Sequence, residues 1–327
     1  MARKTNRREF VQAGLAAGLM AAAPIAAAAQ EQTRAAARTM GTRFRALMNG
    51  PDPLICPGAY DLMSARLCEV HGFKAVFVGS SAPNQELVGL PDQAIVTVSE
   101  IIDYNSTIAA NLNVPILADV DDFGATPLNV YRFAKQADRA GIGCAAFDDR
   151  MPINRATAYA VPGVVSKARM VDNIHAAADA RTDMVLIARC LAPTANGSYS
   201  EMLDRAAAYA EAGADAIWIG LPTANDYVKA AATVKKPLMA VVGNANFPAT
   251  AEAMKAARVA VGQSATMMSI ALGAVDKALT ELKTTGRMTE AQKGALNRTT
   301  SEKVEQVEEL NQRSKKYNLP SASGPER

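Results

Sequence analysis

The sequence predicts a (β/α)8 TIM-type barrel followed by extra C-terminal helices. Eight short apolar runs follow one another from residue 54 onward, and each is separated from the next by a longer amphipathic segment. Continuous apolar runs of this length are typical of parallel strands buried on both faces and joined by helices. The alternative is a doubly wound open sheet, but no G-x-G-x-x-G motif follows the first predicted strand.

Each predicted strand is one of these apolar runs, and the segments between them are predicted to be helices. The predicted strands are LICPGA (54–59), KAVFVG (74–79), PILADV (115–120), GCAAFD (143–148), MVLIAR (184–189), DAIWIG (215–220), PLMAVV (237–242) and RVAVG (258–262). The clearest predicted helices cover 61–73, 127–142, 167–181 and 200–214. Several of them end in Gly or Ala-Gly, which is typical of helix termination.

The chain after the eighth strand is predicted to be mostly helical. Residues 264–288 are expected to form one long helix, and residues 289–318 continue as helix with alternating charge. We assign residues 30–290 to the barrel domain. Residues 291–327 are assigned to a C-terminal helical extension that ends in a disordered tail.

The first 29 residues resemble a twin-arginine export signal. An Arg-Arg pair at 7–8 precedes a short Ala-rich stretch that ends in three alanines at 27–29. The stretch is too short and too rich in Ala to span a bilayer well. We therefore expect export to the periplasm, with cleavage near Ala29.

The positive net charge of the chain comes from the residues of this predicted signal. Residues 1–29 carry four basic residues and one acidic residue, a net of +3, which equals the formal charge of the whole chain. The mature protein is then close to neutral. A basic surface for nucleic acid or for an anionic membrane is therefore not expected once the signal is removed.

The cysteines and histidines do not form a recognisable metal or catalytic motif. Cys56, Cys68, Cys144 and Cys190 show no CxxC or Cys/His spacing. An oxidising compartment permits disulfides, but most of these cysteines lie in or beside different apolar runs, and we expect buried free thiols. The chain has only two histidines, so a His-based triad or a zinc site is poorly supported.

Acidic side chains cluster where the third and fourth predicted strands end. Asp119 and Asp121 share strand parity and should point the same way, and Asp148 ends the next strand. Active sites of such barrels lie at the carboxyl ends of the strands, and carboxylates with water are the ligands that Mg²⁺ prefers. We therefore predict that these three residues bind Mg²⁺ or Mn²⁺.

Alternatives exist for the neighbouring acids, because acids at strand ends often cap the next helix. Asp122 is either such a cap or a specificity residue, and Asp149 is expected to pair with Arg150 in solvent. Arg189, which ends the fifth strand, offers a planar fork for a substrate carboxylate.

Residues from about 54 to 285 resemble the isocitrate lyase/phosphoenolpyruvate mutase superfamily. The resemblance rests on the order and spacing of PGAYDLMSARLCEVHGFKAVFV, GLPD (89–92), PILADVDDFG, DMVLIAR (183–189) and AYAEAGADAIWI (208–219). It implies a Mg²⁺-dependent barrel that acts on 2-oxo or 2-hydroxy carboxylates. Such enzymes break or form a C–C or P–C bond beside the carboxylate through an enolate.

The resemblance also implies roles for individual residues. Asp119 and Asp121 match the two metal-side aspartates, and Asp148 stands where a Glu is usual. Arg189 matches a substrate-binding arginine. Asp92 matches the acid of a mobile loop beside the substrate.

Further substrate contacts are expected from the ends of other strands. Ser80 or Ser81 matches a serine whose loop gives amides to substrate oxygens, and we assign Ser80 to catalysis and Ser81 to binding. Tyr60 and Asp61, in the first quoted motif, and Asn244 after the seventh strand are further binding candidates.

The sequence departs from the resemblance in the segment DDRMPINRATAYA after the fourth strand. Isocitrate and methylisocitrate lyases carry a Lys-Arg-Cys-Gly-His loop there, and its general-acid cysteine is absent. We therefore predict a lyase or decarboxylase with another small substrate. The alternatives are an exported carboxylate-binding protein without catalysis and a phosphonopyruvate-type mutase or hydrolase.

The resemblance finally implies an oligomer. Members of the superfamily often form dimers and tetramers by exchanging a helix after the barrel. The segment MMSIALGAVDKAL has the apolar face that such an exchange needs. We expect a homodimer or homotetramer with C-terminal helix exchange.

Overall fold

The computed structural model describes residues 40–151, 163–192, 198–317 and 319. The predicted export signal, most of the predicted tail and much of the segment after the fourth strand lie outside these residues. Within them, eight parallel strands pair in chain order, and the first pairs with the last to close a barrel. The predicted fold class is confirmed.

The strands lie close to the predicted apolar runs. They are Leu54–Ala59 (β1), Val76–Val78 (β2), Ile116–Asp119 (β3), Cys144–Asp148 (β4), Val185–Cys190 (β5), Ala216–Ile219 (β6), Leu238–Val241 (β7) and Val259–Thr266 (β8).

Helices surround the barrel and continue after it. Those up to β8 are residues 40–48 (α1), Leu62–Val70 (α2), Ser81–Val88 (α3), Val98–Ala109 (α4), Pro127–Arg139 (α5), Lys167–Ala180 (α6), Tyr199–Glu211 (α7), Ala224–Thr233 (α8) and Ala251–Ala256 (α9). Those after β8 are Met268–Thr285 (α10), Thr289–Gln292 (α11), Arg298–Val304 (α12) and Val307–Lys316 (α13). None of the helices described here is long and apolar enough to cross a membrane.

The buried side chains form two layers because successive residues of a strand face opposite ways. Leu117, Ala146, Ile187 and Trp218 belong to a compact cluster inside the barrel. Their neighbours along the strands, such as Ala118, pack in a larger cluster with the helices. The inside of the barrel is thus filled by alternate residues of the strands, as expected for this fold.

This alternation places three of the predicted site residues. Asp119, Asp148 and Arg189 each stand two positions after an interior residue, so they continue the interior face at the carboxyl end of their strands. The strand register also sets Arg189 beside both Asp148 and Trp218. Neighbouring strand ends therefore bring these side chains to the mouth of the barrel.

Two boundaries differ from the prediction after residue 262. Strand β8 runs on to Thr266 because it stays paired with β1 as far as Gly58. The long helix α10 therefore starts at Met268 and not at residue 264. The segment 289–318, predicted to be helical, forms the separate helices α11, α12 and α13: Asn297 caps α12, and Gln306 adopts a left-handed conformation (φ 58°) just before α13.

All four cysteines are buried free thiols, as predicted. The two histidines, His71 and His175, are exposed at the surface. Neither residue type therefore contributes to the mouth of the barrel in the described part of the chain.

Candidate active site

The loop after β3 brings Asp121 back toward Asp119 through a turn. Asp121 has a left-handed backbone (φ 53°), its N–H donates to Asp119 Oδ1 over 3.3 Å, and its carbonyl accepts the Asp148 N–H over 2.8 Å. Both carboxylates are buried. The two carboxylates do lie close together, as predicted. Strand parity is not the reason, because β3 already ends at Asp119.

Arg150 is buried among the acids. Its Nη2 donates to Asp148 Oδ2 over 2.8 Å, and its Nη1 lies 3.4 Å from Asp121 Oδ1. The prediction that Arg150 pairs with Asp149 in solvent is therefore wrong. Arg150 follows Asp148 by two positions, so it continues the same face as the interior residues of β4.

Asp149 faces the opposite way and is held in a buried polar network. Its Oδ1 accepts the Leu191 N–H over 2.8 Å, and its Oδ2 accepts the Tyr209 hydroxyl over 2.7 Å. The Arg205 guanidinium lies 3.7 Å from Oδ2 and donates to the Tyr209 hydroxyl. This network fixes the backbone at the end of β4, where Asp149 stands between Asp148 and Arg150, the two residues that face the site.

Arg189 completes the charged cluster from β5. Its Nη1 donates to Asp119 Oδ2 over 3.3 Å, and its guanidinium carbon lies 3.8 Å from the centre of the Trp218 ring. An aromatic face attracts a cation at this distance. The Arg189 guanidinium is thus held by two contacts, one with the Trp218 ring and one with the Asp119 carboxylate.

Asp92, Asp119 and Asp121 have raised pKa values. Burial raises the pKa of Asp119 to about 6, with Arg189 opposing the shift and Asp148 and Asp92 adding to it. The pKa of Asp121 is raised mainly by burial and then by Asp119 and Asp92. Burial also raises the pKa of Asp92 itself, and Arg150 opposes that shift. Desolvation and crowded negative charge therefore disfavour the ionised forms.

The charge balance suits a divalent cation. The carboxyl groups of Asp119, Asp121 and Asp148 face the guanidinium groups of Arg150 and Arg189, so acidic groups outnumber guanidinium groups among these five side chains. Carboxylate oxygens are also the donors that Mg²⁺ and Mn²⁺ prefer.

The present arrangement of these donors does not form a cation cage. In the ranges that the structure covers, no three acidic, cysteine or histidine side chains are grouped closely enough to hold a metal ion. Two of the three predicted ligands, Asp121 and Asp148, are instead paired with Arg150. Among the described residues, Arg150 and Arg189 place positive charge beside these acids.

The other predicted binding residues lie after β1, β2 and β7, at the same end of the barrel. Ser80 is buried and its carbonyl accepts the Asn84 side-chain amide over 2.9 Å, while Ser81 begins α3. The Asp61 carboxylate caps α2 by accepting the Ser64 N–H over 2.7 Å. Their roles toward a substrate stay predictions.

Tyr60 and Asn244 also make local contacts. The carbonyl of Tyr60 accepts the Tyr104 hydroxyl. The exposed Asn244 uses its Oδ1 to accept the backbone N–H groups of Asn246 and Phe247, which closes its own loop. A part in binding substrate stays a prediction for both.

Asp122 does not cap the helix that follows it. Its Oδ1 accepts the Gly124 N–H over 2.7 Å inside the loop, and α5 has Thr126 at its N-cap with Pro127 next. The alternative that Asp122 caps α5 is therefore wrong, because the N–H group that it binds lies in the loop before the helix. The carboxylate instead stabilises the loop that carries Asp121.

The comparisons identify the family of this barrel. The family model described as phosphoenolpyruvate phosphomutase matches residues 44–283. The chain belongs to this family, within the isocitrate lyase/phosphoenolpyruvate mutase superfamily, as the resemblance implied.

Curated relatives include several lyases. The chain is 31% identical over 189 residues to 2,3-dimethylmalate lyase of Eubacterium barkeri, which covers 57% of this chain and 65% of that protein. It is 34% identical over 181 residues to 2-methylisocitrate lyase of Salmonella typhimurium, covering 54% and 61%. The match therefore spans less than two thirds of the length of these relatives.

A solved structure extends the similarity over more of the chain. Oxaloacetate acetylhydrolase in complex with the inhibitor 3,3-difluorooxalacetate has a TM-score of 0.76 at 25% identity. The match covers 86% of this chain and 98% of that chain. The similarity in fold thus extends over most of this chain.

Proposed function

We propose that this protein is a Mg²⁺- or Mn²⁺-dependent lyase or decarboxylase. Its substrate is a small 2-oxo or 2-hydroxy carboxylate, and the bond broken is the C–C, or P–C, bond beside the carboxylate. The observation that carries the proposal is the convergence of Asp119, Asp121 and Asp148 with two arginines at the mouth of a barrel of this family.

In this proposal, positively charged, polar and acidic groups of the chain have different roles toward the substrate. Arg189 binds the substrate carboxylate through its planar fork, with Trp218 keeping the fork in one plane. Amides of the loop at Ser80 take up negative charge on the substrate oxygen as the enolate forms. Asp92, a carboxyl group with a pKa raised by burial, carries the proton that the reaction moves.

The acidic side chains provide the metal site of this proposal. Asp119, Asp121 and Asp148 would hold the cation, and the cation would supply electrophilic stabilisation of the developing enolate. Keeping Asp119 and Asp121 ionised requires positive charge close by, because burial raises their pKa values.

The test is turnover by the purified mature protein with Mg²⁺ or Mn²⁺. The panel comprises oxaloacetate, 2,3-dimethylmalate and related malates, phosphonopyruvate, isocitrate and 2-methylisocitrate. Asp121→Ala should abolish turnover, while Asp103→Ala, a change of the same kind at an exposed position, should not. Turnover that persists in Asp121→Ala would contradict the proposal.

The proposal excludes isocitrate and methylisocitrate cleavage. It relies on the sequence, since the loop expected to carry the general-acid cysteine falls largely at residues 152–162, outside the described residues. Cleavage of either substrate at a rate comparable to that of the others would remove this part of the proposal.

A second candidate is a carboxylate-binding protein without catalysis. The pairing of Arg150 with Asp121 and Asp148 favours it, because a guanidinium group of the chain itself contacts two of the three carboxylates. A thermal shift with carboxylates and no turnover across the panel would support this candidate.

Export and assembly complete the proposal. We propose that the mature protein begins near residue 30, is periplasmic and forms a homodimer or homotetramer through helix exchange. Mass spectrometry of the protein recovered from the periplasm would give the cleavage site directly.

A further inference from the structure

Arg150 lies at the mouth of the barrel, where the sequence suggested for it only a pairing with Asp149 in solvent. Its side chain is buried, with 9% exposure, and both terminal nitrogens face carboxylates. Its backbone N–H also donates to Asp148 Oδ1 over 3.2 Å. Its Nε has no acceptor among the described residues. Among the described residues, the guanidinium group makes its ion pairs with these two acids.

These two acids are also two of the three proposed metal ligands. Arg150 Nη2 lies 2.8 Å from Asp148 Oδ2, and Nη1 lies 3.4 Å from Asp121 Oδ1. A divalent cation held by these two side chains would compete with the guanidinium for their carboxylate oxygens. Two positive groups so close together repel each other strongly in a buried site. Arg150 and the cation therefore cannot both be held by Asp121 and Asp148 in this way.

We propose that Arg150 is a built-in competitor for the metal ligands. Its guanidinium is paired with Asp121 and Asp148, and it leaves them when a divalent cation binds. The inference rests on the proposed function, since that function requires a cation at these carboxylates.

Leaving the acids gives Arg150 a second role. Its side chain is anchored at the end of β4, on the same face as Asp148, so the freed guanidinium stays at the mouth of the barrel. Its planar fork matches a carboxylate of the substrate. Arg150 would thus weaken metal binding but strengthen the binding of an anionic ligand to the metal-loaded protein.

A purely structural role for Arg150 predicts a different result. If the residue only kept the loops in place, its loss would disorder the site and weaken the binding of both the metal and the anion. Competition predicts changes of opposite sign. The two affinities measured on the same variant therefore separate the two explanations.

The experiment compares Mn²⁺ binding, followed by the electron paramagnetic resonance of free Mn²⁺, in the wild-type protein and in Arg150→Gln. We expect the variant to bind Mn²⁺ at least about tenfold more tightly, because no ion pair has to be broken. Arg139→Gln is the matched control: it removes an exposed arginine from the last turn of α5, at the opposite end of the barrel. It should bind Mn²⁺ like the wild type.

The second measurement is the affinity for oxalate, a small dicarboxylate, at saturating Mn²⁺. Arg150→Gln should bind oxalate about tenfold more weakly than the wild type, because one guanidinium contact is lost. If Arg150→Gln does not fold, Arg150→Lys takes its place. A lysine side chain can contact only one of the two acids at a time. The Arg150→Lys variant should therefore still bind Mn²⁺ more tightly than the wild type.

The outcomes separate the inference from the function on which it rests. Mn²⁺ binding that is unchanged or weaker in the folded variant overturns the inference and leaves the proposed function standing. No Mn²⁺ binding to either protein overturns both. Tighter Mn²⁺ binding with unchanged oxalate affinity supports the competition and overturns the second role.

Discussion

The guanidinium of Arg189 lies 3.8 Å from the centre of the Trp218 ring, and its Nη1 donates to Asp119 over 3.3 Å. Trp218 is itself fixed by Phe77, whose ring meets it edge-on at 5.9 Å between ring centres. The guanidinium group therefore lies against a packed aromatic pair inside the barrel. A fork held in this way loses little freedom when it binds a carboxylate.

Arg189→Lys should weaken the binding of oxalate. A lysine keeps the charge but lacks the planar fork and the stacking on Trp218, so we expect a loss of about tenfold or more in affinity. Isothermal titration calorimetry gives the affinity, and the emission of Trp218, the only tryptophan of the chain, reports on the same site.

The control for this variant is Arg169→Lys, the same exchange at an exposed position in the first turn of α6. It should bind oxalate like the wild type. Equal affinities for all three proteins would contradict a role for Arg189 in carboxylate binding.

Asp119 should make the metal-free protein less stable as the pH rises. Its pKa in the folded state is about 6, above the value of 3.8 for a free aspartate, so the folded state binds this proton more tightly than the unfolded state does. The free energy of unfolding should then fall between about pH 4 and pH 6, by roughly 2–3 kcal/mol from this group, and level off above.

The measurement is urea unfolding in the presence of a chelator at several pH values from 4 to about 7. Asp119→Asn should remove this part of the pH dependence, because an amide does not ionise. Asp103→Asn, at an exposed position, should keep it. A wild-type stability that rises over the same range while Asp119→Asn behaves identically would refute the assignment.

Much of the barrel could be predicted because its strands are short apolar runs that stand out from the helices. The alternation along those runs also predicts the direction of Asp148 and Arg189, since each continues an interior column. The end of β8 could not be predicted, because the small residues before Met268 suit a helix start as well as a strand.

The pairing within the site was less predictable. A charged residue directly after a strand is usually solvated, and only the position of Arg150 two residues after Asp148 indicated that it faces inward. Asp121 reaches Asp119 through a left-handed turn that strand parity does not describe. Trp218 reads as one more apolar strand residue, so its contact with Arg189 depends on the register between β5 and β6.

Tyr209→Phe should destabilise the protein by about 1–3 kcal/mol. The hydroxyl donates to Asp149 over 2.7 Å and accepts from Arg205, and all three side chains are buried, so its loss leaves a buried carboxylate with one donor fewer. Chemical denaturation of Tyr131→Phe, which removes a hydroxyl from an exposed ring, provides the comparison. Equal stability of the two variants would show that the network is not needed for folding.

The thiols should be unreactive in the native protein. All four cysteines are buried, and burial raises the pKa of Cys68 to about 11 and that of Cys190 to about 12. At about pH 8 the thiolate, which is the reactive form, is therefore scarce. A colorimetric disulfide reagent should label none of the thiols before unfolding and all four in guanidinium chloride; rapid labelling of a native thiol would contradict this.

The apolar stripe of α10 should be an interface between copies of the chain. Leu272, Val275 and Leu279 are 59%, 52% and 58% exposed, and their spacing places them on one side of the helix. Three large apolar side chains exposed in a row are unusual for a surface helix unless another surface covers them. This agrees with the helix exchange expected from the sequence.

Leu279→Glu should therefore shift the protein from an oligomer to a monomer, because a carboxylate would be buried without a partner at the interface. Sedimentation velocity gives the mass in solution. Lys277→Glu introduces the same side chain at an exposed position of the same helix, turned away from the stripe, and should leave the oligomer intact. If both variants keep the mass of the wild-type oligomer, the interface lies elsewhere. If the wild-type protein already sediments as a monomer, the proposed exchange of α10 between copies of the chain is wrong.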